Sequence, residues 1–343
     1  MTLQKSNFKN QTSIALFSGG LDSILACRVV MEQGIRVKAL RFVTPFFGYE
    51  LLDRRASYIE ETRAKYGIDV ELVDIGERYL QLLRAPAHGF GKHFNPCVDC
   101  KILLLSLARE MLPRYQASFL ITGEVLGQRP MSQRRDTLRV IERDSGCEEI
   151  LVRPLCARRL APTPPELAGL IDRDRLLDFS GRGRSAQIAL ARRFGISDYP
   201  SPAGGCFLTD PILSRRIKKH YEIRDTVLIS DILFLMAGRQ FELPSGARVA
   251  LGRDQADNRK VMARRRPGDW ILERAGERPG PTALLRHARH PADLEQAASL
   301  VARYTKKKDD ASPTIKVKAT REDETILFDA LPPAEEDLKE WMR

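Results

Sequence analysis

The stretch Ile14-Ala15-Leu16-Phe17-Ser18-Gly19-Gly20-Leu21-Asp22-Ser23 decides the fold of the first half of this chain. Its opening apolar run predicts a buried parallel strand, and the apolar spacing from Ile24 to Val30 predicts a helix. The two glycines between them allow a sharp turn whose backbone N–H groups approach an anion, with the positive end of the helix dipole behind them. No lysine follows the glycines, so the loop differs from the GxxxxGK[ST] P-loop. The stretch therefore predicts a strand, a phosphate loop and a helix.

The sequence SGGLDS, residues 18–23, resembles the pyrophosphatase loop of the PP-loop ATPases, the superfamily of the tRNA thiolation enzymes. The resemblance implies cleavage of ATP between its α and β phosphates, with Mg²⁺, to adenylate a carbonyl-type oxygen. It further implies that Asp22 places the metal or the α-phosphate. The implied ATP-binding residues in this loop are Ser18, Gly19, Gly20, Asp22 and Ser23.

Strand and helix patterns alternate along the first 155 residues. Further strands are predicted at 35–43, 70–75, 118–121 and 150–155, and a helix at 51–66. This spacing favours an α/β fold with a doubly wound parallel sheet, followed by a second, smaller α+β domain. Ligands of such sheets bind beyond the carboxyl ends of the strands, where the SGGLDS turn is expected to lie.

Length and charge set the broad class of the protein. The 343 residues are 43% hydrophobic, which is enough for two domains with their own cores. The net charge of +11 favours a polyanionic partner, and residues 211–321 hold most of the excess, with 24 Lys+Arg against 13 Asp+Glu. No apolar stretch approaches the length of a membrane span, so we expect a cytoplasmic protein without a membrane partner.

Two of the six cysteines, Cys97 and Cys100, lie directly before an apolar helical pattern. At a helix start the dipole is expected to lower the thiol pKa and to favour nucleophilic attack or metal ligation, although structural thiols are the plain alternative. The NPCxxC motif resembles the 2-thiouridylase branch of the PP-loop enzymes. Cys206, in a Gly-rich loop after two prolines, falls where that branch carries its second catalytic cysteine.

Two chemistries remain open for these thiols. One is a persulfide donor with a resolving partner. The expected sulfur donor of the enzyme is a cysteine desulfurase persulfide or sulfide. The other is a [4Fe-4S] cluster ligated by Cys97, Cys100 and Cys206 with one iron left open, which the third cysteine favours. Of the remaining cysteines, Cys27 is predicted in a helix core and Cys147 in a hairpin turn, while Cys156 is left unassigned.

The TGExLGQ stretch at 122–128, with Gln133 beyond it, follows a predicted core strand. It resembles the 4-thiouridine synthetase branch, and the resemblance continues in LVRPL at 151–155. In that branch the stretch faces the nucleotide. We therefore expect Thr122, Gly123 and Gln128 at the ATP, and Glu124, Gln128 and Gln133 as polar groups for a nucleotide and a uridine edge.

The second domain is expected to begin with a hairpin turned at Ser245-Gly246. Short patterns at 251–258, 268–270 and 279–281 and a helix at 293–304 resemble the NFACT-R domain, an RNA-binding module, although the histidine of that module after its Asp-Trp strand is not evident. Trp270 is a possible stacking residue, but core packing is favoured. The phosphate-contact candidates are Arg264, Arg265, Arg266, Lys306, Lys307 and Lys308.

The combined prediction is a tRNA uridine sulfurtransferase that adenylates a carbonyl oxygen and transfers sulfur through Cys97, Cys100 and Cys206. Residues 1–200 are expected to hold ATP and the chemistry, 201–230 to be a linker with Cys206 near its start, 231–335 to bind RNA, and 336–343 to form an acidic tail. The two branches imply different products, 2-thiouridine and 4-thiouridine. The rival hypotheses are a PP-loop ligase or sulfurtransferase for a small molecule, and a non-catalytic RNA- or ribosome-binding protein.

Overall fold

The computed structural model describes residues 10–201, 206–306 and 313–343. The chain divides into two compact units, Met1–Ser214 and Arg215–Arg343. The division lies inside the segment predicted as a linker, and much of that segment is helical in the structure. Within the described ranges, no helix is both long enough and apolar enough to cross a membrane.

The first unit is built on a parallel sheet. Its strands are β1 (Thr12–Leu16), β2 (Arg36–Val43), β3 (Asp69–Asp74), β4 (Phe119–Thr122) and β5 (Leu151–Val152). Its helices are α1 (Leu21–Met31), α2 (Arg55–Tyr66), α3 (Gly76–Leu82), α4 (Cys97–Glu110), α5 (Arg135–Ser145), α6 (Pro164–Leu167) and α7 (Ser185–Arg193). The strand order is β3-β2-β1-β4-β5, and all pairs are parallel. This confirms the predicted α/β fold with a parallel sheet.

The order of the strands explains where a ligand can bind. Every residue of β1 is buried, which accounts for its unbroken apolar sequence. The sheet reverses its order at β1, and Leu16 of β1 is paired with both Leu40 of β2 and Thr122 of β4. The loops after β1 and β4 therefore leave the same edge of the sheet side by side, at the position where open α/β sheets bind ligands.

Three local predictions for this unit need correction. The helix expected at 51–66 begins later, because a 3₁₀ turn at Tyr49–Leu51 precedes α2. The last strand is two residues long. Cys147 does not lie in a hairpin turn: α5 ends at the left-handed Gly146, and Cys147 then enters the core with no exposed surface. Cys27 is fully buried on α1, as predicted.

The second unit is built on an antiparallel sheet. Its strands are β6 (Arg239–Glu242), β7 (Arg248–Leu251), β8 (Trp270–Arg274), β9 (Thr282–Arg286), β10 (Ile315–Arg321) and β11 (Glu324–Ala330), in the order β11-β10-β8-β9-β7-β6. Helix α8 (Pro211–Ile223) crosses the division between the units, and α9 (Ile229–Leu235), α10 (Gln255–Met262), α11 (Pro291–Tyr304) and α12 (Glu335–Trp341) follow. The predicted α+β class and the hairpin between β6 and β7 are confirmed.

Helix α11 packs against one face of this sheet. Its residues Leu294, Ala298 and Val301 share a buried cluster with Leu272 of β8 and Val317 of β10. Trp270 is 3% exposed and lies in the same cluster. Core packing is therefore the role of this indole, and it has too little exposed surface to stack on a base.

Candidate active site

The loop after β1 has the geometry of an anion site. Gly19 has a φ of 74°, a left-handed conformation that strongly favours glycine, and α1 begins directly after Gly20. The Ser23 hydroxyl donates to the Gly20 carbonyl at 2.8 Å, and the Ser18 and Ser23 hydroxyls lie 3.3 Å apart. The turn thus sets two hydroxyls beside the amino terminus of an eleven-residue helix.

Asp22 is held by one of its two carboxylate oxygens. Its Oδ2 accepts hydrogen bonds from Gln128 Nε2 at 2.7 Å and from Arg184 Nη2 at 3.2 Å. Gln187 in turn donates to Gln128 at 3.1 Å and fixes the amide. The other oxygen, Oδ1, is buried and has no hydrogen-bond partner in the part of the chain that the structure describes. A buried carboxylate oxygen without a partner at a phosphate loop is a fitting ligand for Mg²⁺, since this ion prefers carboxylate and phosphate oxygens.

The loop after β4 packs directly on the phosphate loop. A Cβ at Gly123 would lie 2.6 Å from the Ser23 nitrogen and 2.7 Å from the carbonyl of Asp22. Only glycine permits this approach without movement of the backbone. The structure therefore brings Gly123 and Gln128, two of the predicted ATP-binding residues, to the phosphate loop.

Glu124 has a different environment from the one predicted. Its carboxylate is 2% exposed and accepts from Thr122 at 3.1 Å and from Arg153 Nε at 3.0 Å, while Lys101 Nζ lies 3.5 Å away. Burial opposes its ionisation, but Lys101 and Arg153 outweigh burial and hold the pKa of Glu124 below its usual value. Arg153 also pairs with Glu142. Glu124 is thus an internal anion that orders the floor of the site. Gln133 is buried too, at 5% exposure.

Two residues near the loop were missed from the sequence. Arg41 of β2 donates to the Ser18 carbonyl, and the Tyr58 hydroxyl lies 3.1 Å from where a Cβ on Gly19 would stand. The sequence did contain a signal for Arg41, because an arginine between apolar residues of a buried strand is unusual. Tyr58 lies in a polar, largely exposed helix, so the sequence offered no indication for it.

The three predicted cysteines gather around a tyrosine that sequence reasoning missed. Tyr79 of α3 is buried, and its hydroxyl lies close enough to the thiols of Cys100 and Cys206 to lower the pKa of both in part. Cys97 lies at the start of α4, where its sulfur accepts from Asn95 Nδ2 at 3.1 Å. The structure therefore unites residues that are more than a hundred positions apart in sequence.

Contacts around Phe46 explain how the Cys206 segment reaches this cluster. The backbone N–H of Phe207 donates to the Phe46 carbonyl at 3.2 Å. The Phe46 ring packs on Tyr79 with centroids 5.6 Å apart. Through Phe207 and Phe46, the Cys206 segment is therefore held beside Tyr79, the residue that also lies near Cys100. Residues 202–205, which form most of the Gly-rich loop, lie outside the described residues.

The expectation of an activated thiolate is wrong for Cys100. Burial raises its pKa to about 11, although Tyr79 and Lys101 lower it in part. Burial likewise raises the pKa of Cys206 to about 12. For Cys100, which is only partly buried, desolvation still exceeds the helix-dipole effect.

Cys97, Cys100 and Cys206 are the predicted ligands of an iron-sulfur cluster. Thiolates are the right donors for an iron-sulfur cluster. However, no group of three or more His, Cys, Asp or Glu side chains in the described ranges has an arrangement that could hold a metal ion. In the described arrangement, Cys97, Cys100 and Cys206 are therefore not positioned as a set of iron ligands.

The predicted RNA-contact residues are dispersed over the second unit. The Arg264 carbonyl accepts from Arg286 Nη2 at 2.8 Å, Arg266 pairs with Asp231 at 3.4 Å, and Arg265 is exposed. Lys306 follows α11 and is exposed, whereas Lys307 and Lys308 lie outside the described residues.

Comparisons with known proteins match two segments of the chain. The family model described as "Thiamine biosynthesis protein (ThiI)" matches residues 8–159. The model described as "NFACT protein RNA binding domain" matches residues 238–342.

Curated relatives match the first segment. The "Probable tRNA sulfurtransferase" of Thermococcus kodakarensis is 26% identical over 116 residues, which are 34% of this chain and 30% of the relative. The "tRNA sulfurtransferase" of Marinobacter nauticus is 29% identical over 149 residues, 43% of this chain and 29% of the relative. A solved 4-thiouridine synthetase in complex with RNA and ATP is 19% identical, with a TM-score of 0.39 and coverage of 62% of this chain and 50% of that chain. This chain is thus aligned with less than a third of the length of either curated relative.

Proposed function

We propose that this chain, which joins a ThiI-type PP-loop domain over residues 8–159 to an NFACT-type RNA-binding domain over residues 238–342, is an ATP-dependent tRNA uridine sulfurtransferase. The two matches confirm the resemblances drawn from the SGGLDS loop and from the patterns of the second domain. The observation that carries the proposal is Asp22, with one oxygen anchored by Gln128 and Arg184 and the other buried without a partner among the described residues.

In the proposed first step, the residues 18–23 and the amino terminus of α1 bind the phosphates of ATP. Mg²⁺, when bound, supplies charge neutralisation at the phosphates, with Asp22 Oδ1 as its protein ligand. Arg184, whose guanidinium reaches the same carboxylate, is suited to balance the negative charge that develops on the phosphates. A uridine carbonyl oxygen then attacks the α-phosphorus, pyrophosphate leaves, and the base carries an AMP leaving group.

In the proposed second step, the thiol cluster transfers sulfur. A persulfide on one cysteine, supplied by transfer of sulfane sulfur from a cysteine desulfurase persulfide, attacks the activated carbon, and AMP leaves. A second thiol then attacks the resulting enzyme–sulfur bond. This releases the thiolated base and leaves a disulfide, which an external thiol reductant must reduce.

The arrangement around Tyr79 supports this relay over a cluster. Cys100 and Cys206 both interact with the Tyr79 hydroxyl, so the two thiols lie near one another, and burial keeps them in the neutral form. Neutral thiols are protected from random oxidation, since the thiolate is the reactive species. We assign the relay to Cys100 and Cys206, with Cys97 beside them at the start of α4.

The proposed partner is tRNA, bound through the basic second unit. Residues 211–321 carry an excess of eleven positive charges, 24 against 13, and phosphate contacts account for most of the affinity of such surfaces.

The test is tRNA-dependent pyrophosphate release by the Asp22→Asn variant. Loss of the anionic ligand should lower the rate at least a hundredfold, because charge neutralisation is the main source of catalysis here. Asp198→Asn is the matched control, since Asp198 is an exposed aspartate paired only with Lys65 among the ion pairs of the described residues. Wild-type release by Asp22→Asn would refute the assignment of this loop. Release without any RNA would favour a small-molecule substrate.

A further inference from the structure

The loop of residues 83–96, which joins α3 to α4, presents an exposed aromatic ring shortly before Cys97. Phe90 is 40% exposed, and its ring stacks on that of the buried Phe94, with centroids 4.4 Å apart and an angle of 20° between the planes. Protein thus covers one face of the Phe90 ring, and the exposed surface belongs to the rest of it. A ring held in this way is a rigid surface on which a planar group can stack.

The residue after Phe90 connects this ring to a thiol. A Cβ at Gly91 would lie 2.6 Å from Asn95 Nδ2 and 2.8 Å from Met131 Sδ, so the chain at this point packs directly on both side chains. Asn95 Nδ2 in turn donates to the Cys97 sulfur at 3.1 Å. Met131 is itself 40% exposed. An exposed ring, an exposed thioether and a thiol are therefore linked through one buried amide.

The hydrogen bonds of Asn95 fix its position and leave its amide N–H groups with weak acceptors. Its backbone carbonyl accepts from the N–H groups of Gly91 at 2.9 Å and Cys97 at 3.0 Å, and its side-chain oxygen accepts from the His93 backbone N–H at 3.1 Å. Within the described ranges, Nδ2 donates only to sulfur, to Cys97 and, at 3.9 Å, to Met131. Sulfur is a weak acceptor. The amide is therefore suited to donate to a carbonyl oxygen of a ligand.

The loop of residues 123–133 joins this surface to the phosphate loop. Gln128 donates to Asp22 at 2.7 Å, and Met131, three residues further on, contacts the amide beside the Phe90 ring. The Gly127 N–H donates to the Gln133 carbonyl at 2.7 Å and closes the loop on itself. One compact loop therefore borders both the phosphate loop and the exposed ring.

We propose that Phe90 and Met131 bind the target base, an unpaired uracil of the RNA substrate, with the amide of Asn95 donating to a uracil carbonyl oxygen. The proposal rests on the proposed function, since it takes uridine as the substrate. In that reaction the base must meet first ATP and then a thiol, and the loop of residues 123–133 borders both. A paired base inside a duplex has both faces covered, so this site takes a base that has left its stack.

The first experiment locates the base without requiring turnover. Unmodified tRNA is transcribed with 5-iodouridine in place of uridine and bound to the full chain together with α,β-methylene-ATP, which cannot be cleaved between its α and β phosphates. Irradiation cross-links 5-iodouracil to an aromatic side chain that it touches, and peptide mass spectrometry locates the attachment. We expect a cross-link at Phe90 in the wild type, its loss in Phe90→Leu and its retention in Phe90→Tyr.

The second experiment measures tRNA-dependent pyrophosphate release. Because Phe90→Leu removes a stacking surface for one base, it should lower kcat/KM for tRNA about fivefold or more and leave KM for ATP unchanged. Phe90→Tyr keeps the ring and should stay within about twofold of the wild type. Leu167→Ala is the matched control and should behave as the wild type, since Leu167 is 75% exposed and lies on a different element, α6. Thermal unfolding of each variant checks that it is folded.

Three results would overturn the assignment of this base site. They are wild-type kcat/KM for tRNA in a folded Phe90→Leu variant, an equal loss in Leu167→Ala, and cross-links that do not include Phe90. Each would leave the proposed function standing, because the wild type would still release pyrophosphate in response to tRNA. A wild type that releases no pyrophosphate with tRNA would contradict the proposed function itself, and the cross-link alone would then decide whether a uracil binds at Phe90.

Discussion

Replacement of Gly123 by alanine should disable the phosphate loop from the neighbouring strand. The added Cβ would stand 2.6 Å from the Ser23 nitrogen and 2.7 Å from the Asp22 carbonyl carbon and oxygen. Ordinary contacts of a carbon atom begin near 3.5 Å, so the backbone of one loop must move by about 1 Å. Overpacking of this kind costs about 1–3 kcal/mol of the free energy of unfolding.

The effect on turnover should exceed the effect on stability. A displacement of about 1 Å in a group that positions substrate costs about a hundredfold in rate. We therefore expect Gly123→Ala to release pyrophosphate about a hundredfold more slowly than the wild type, while it still unfolds cooperatively in urea.

Gly183→Ala is the matched control for this experiment. No atom lies within 4 Å of the Cβ that it would add, and its φ lies outside the left-handed range. Stability and turnover of this variant should be close to those of the wild type. Wild-type turnover by Gly123→Ala, or an equal loss in both alanine variants, would refute the argument that β4 supports the phosphate loop by close packing.

Two further predictions concern buried groups. Arg153→Met should lower the free energy of unfolding, measured in urea, by about 3–5 kcal/mol, because it leaves the buried carboxylate of Glu124 with Lys101 as its remaining cationic neighbour. The control Arg158→Met breaks an exposed ion pair and should lower it by less than about 1 kcal/mol. Equal losses of unfolding free energy in Arg153→Met and Arg158→Met would contradict this prediction. Since burial raises the pKa of Cys206 to about 12 and that of Cys100 to about 11, both are protonated at neutral pH, and their alkylation by iodoacetamide should rise about tenfold per pH unit. Peptide mass spectrometry should show no plateau up to pH 9, and a plateau there, as for an ordinary thiol, would contradict the burial argument.

Much of the first unit could be predicted from residues alone. The unbroken apolar sequence of β1 and the glycines after it predicted a buried strand and a phosphate loop, because both depend on local chemistry. The close approach of Gly123 to Ser23 could not be predicted, since it depends on the pairing of β1 with β4.

The environment of individual polar groups was the least predictable part. Glu124 was expected to face a nucleotide, but its pairing with Arg153 depends on the position of β5 beside β4. The helix position of Cys100 predicted a lowered pKa, whereas the enclosure by Tyr79 and neighbouring groups raised it. Burial reversed the local effect for Cys100, whereas ion pairs from other elements determined the environment of Glu124.

The boundary between the two units was difficult to predict, because it depends on where helices form in the connecting segment. Residues 201–230 contain prolines and glycines at their start, which favoured a linker. The structure places α8 at Pro211–Ile223, and the division into compact units falls within it. The recurrence of Leu213, Ile217 and Tyr221 every four residues was the signal that could have predicted α8.

The proposed reaction of this chain replaces a uridine oxygen by sulfur and consumes ATP. It is tested most directly by mass spectrometry of the nucleosides of unmodified tRNA after incubation with the protein, ATP, Mg²⁺, a persulfide donor and a thiol reductant. The account predicts a thiouridine that requires ATP and is absent with the Asp22→Asn and Cys206→Ser variants. A wild-type protein that is folded and binds ATP, yet yields no thiolated nucleoside from tRNA under these conditions, would contradict it.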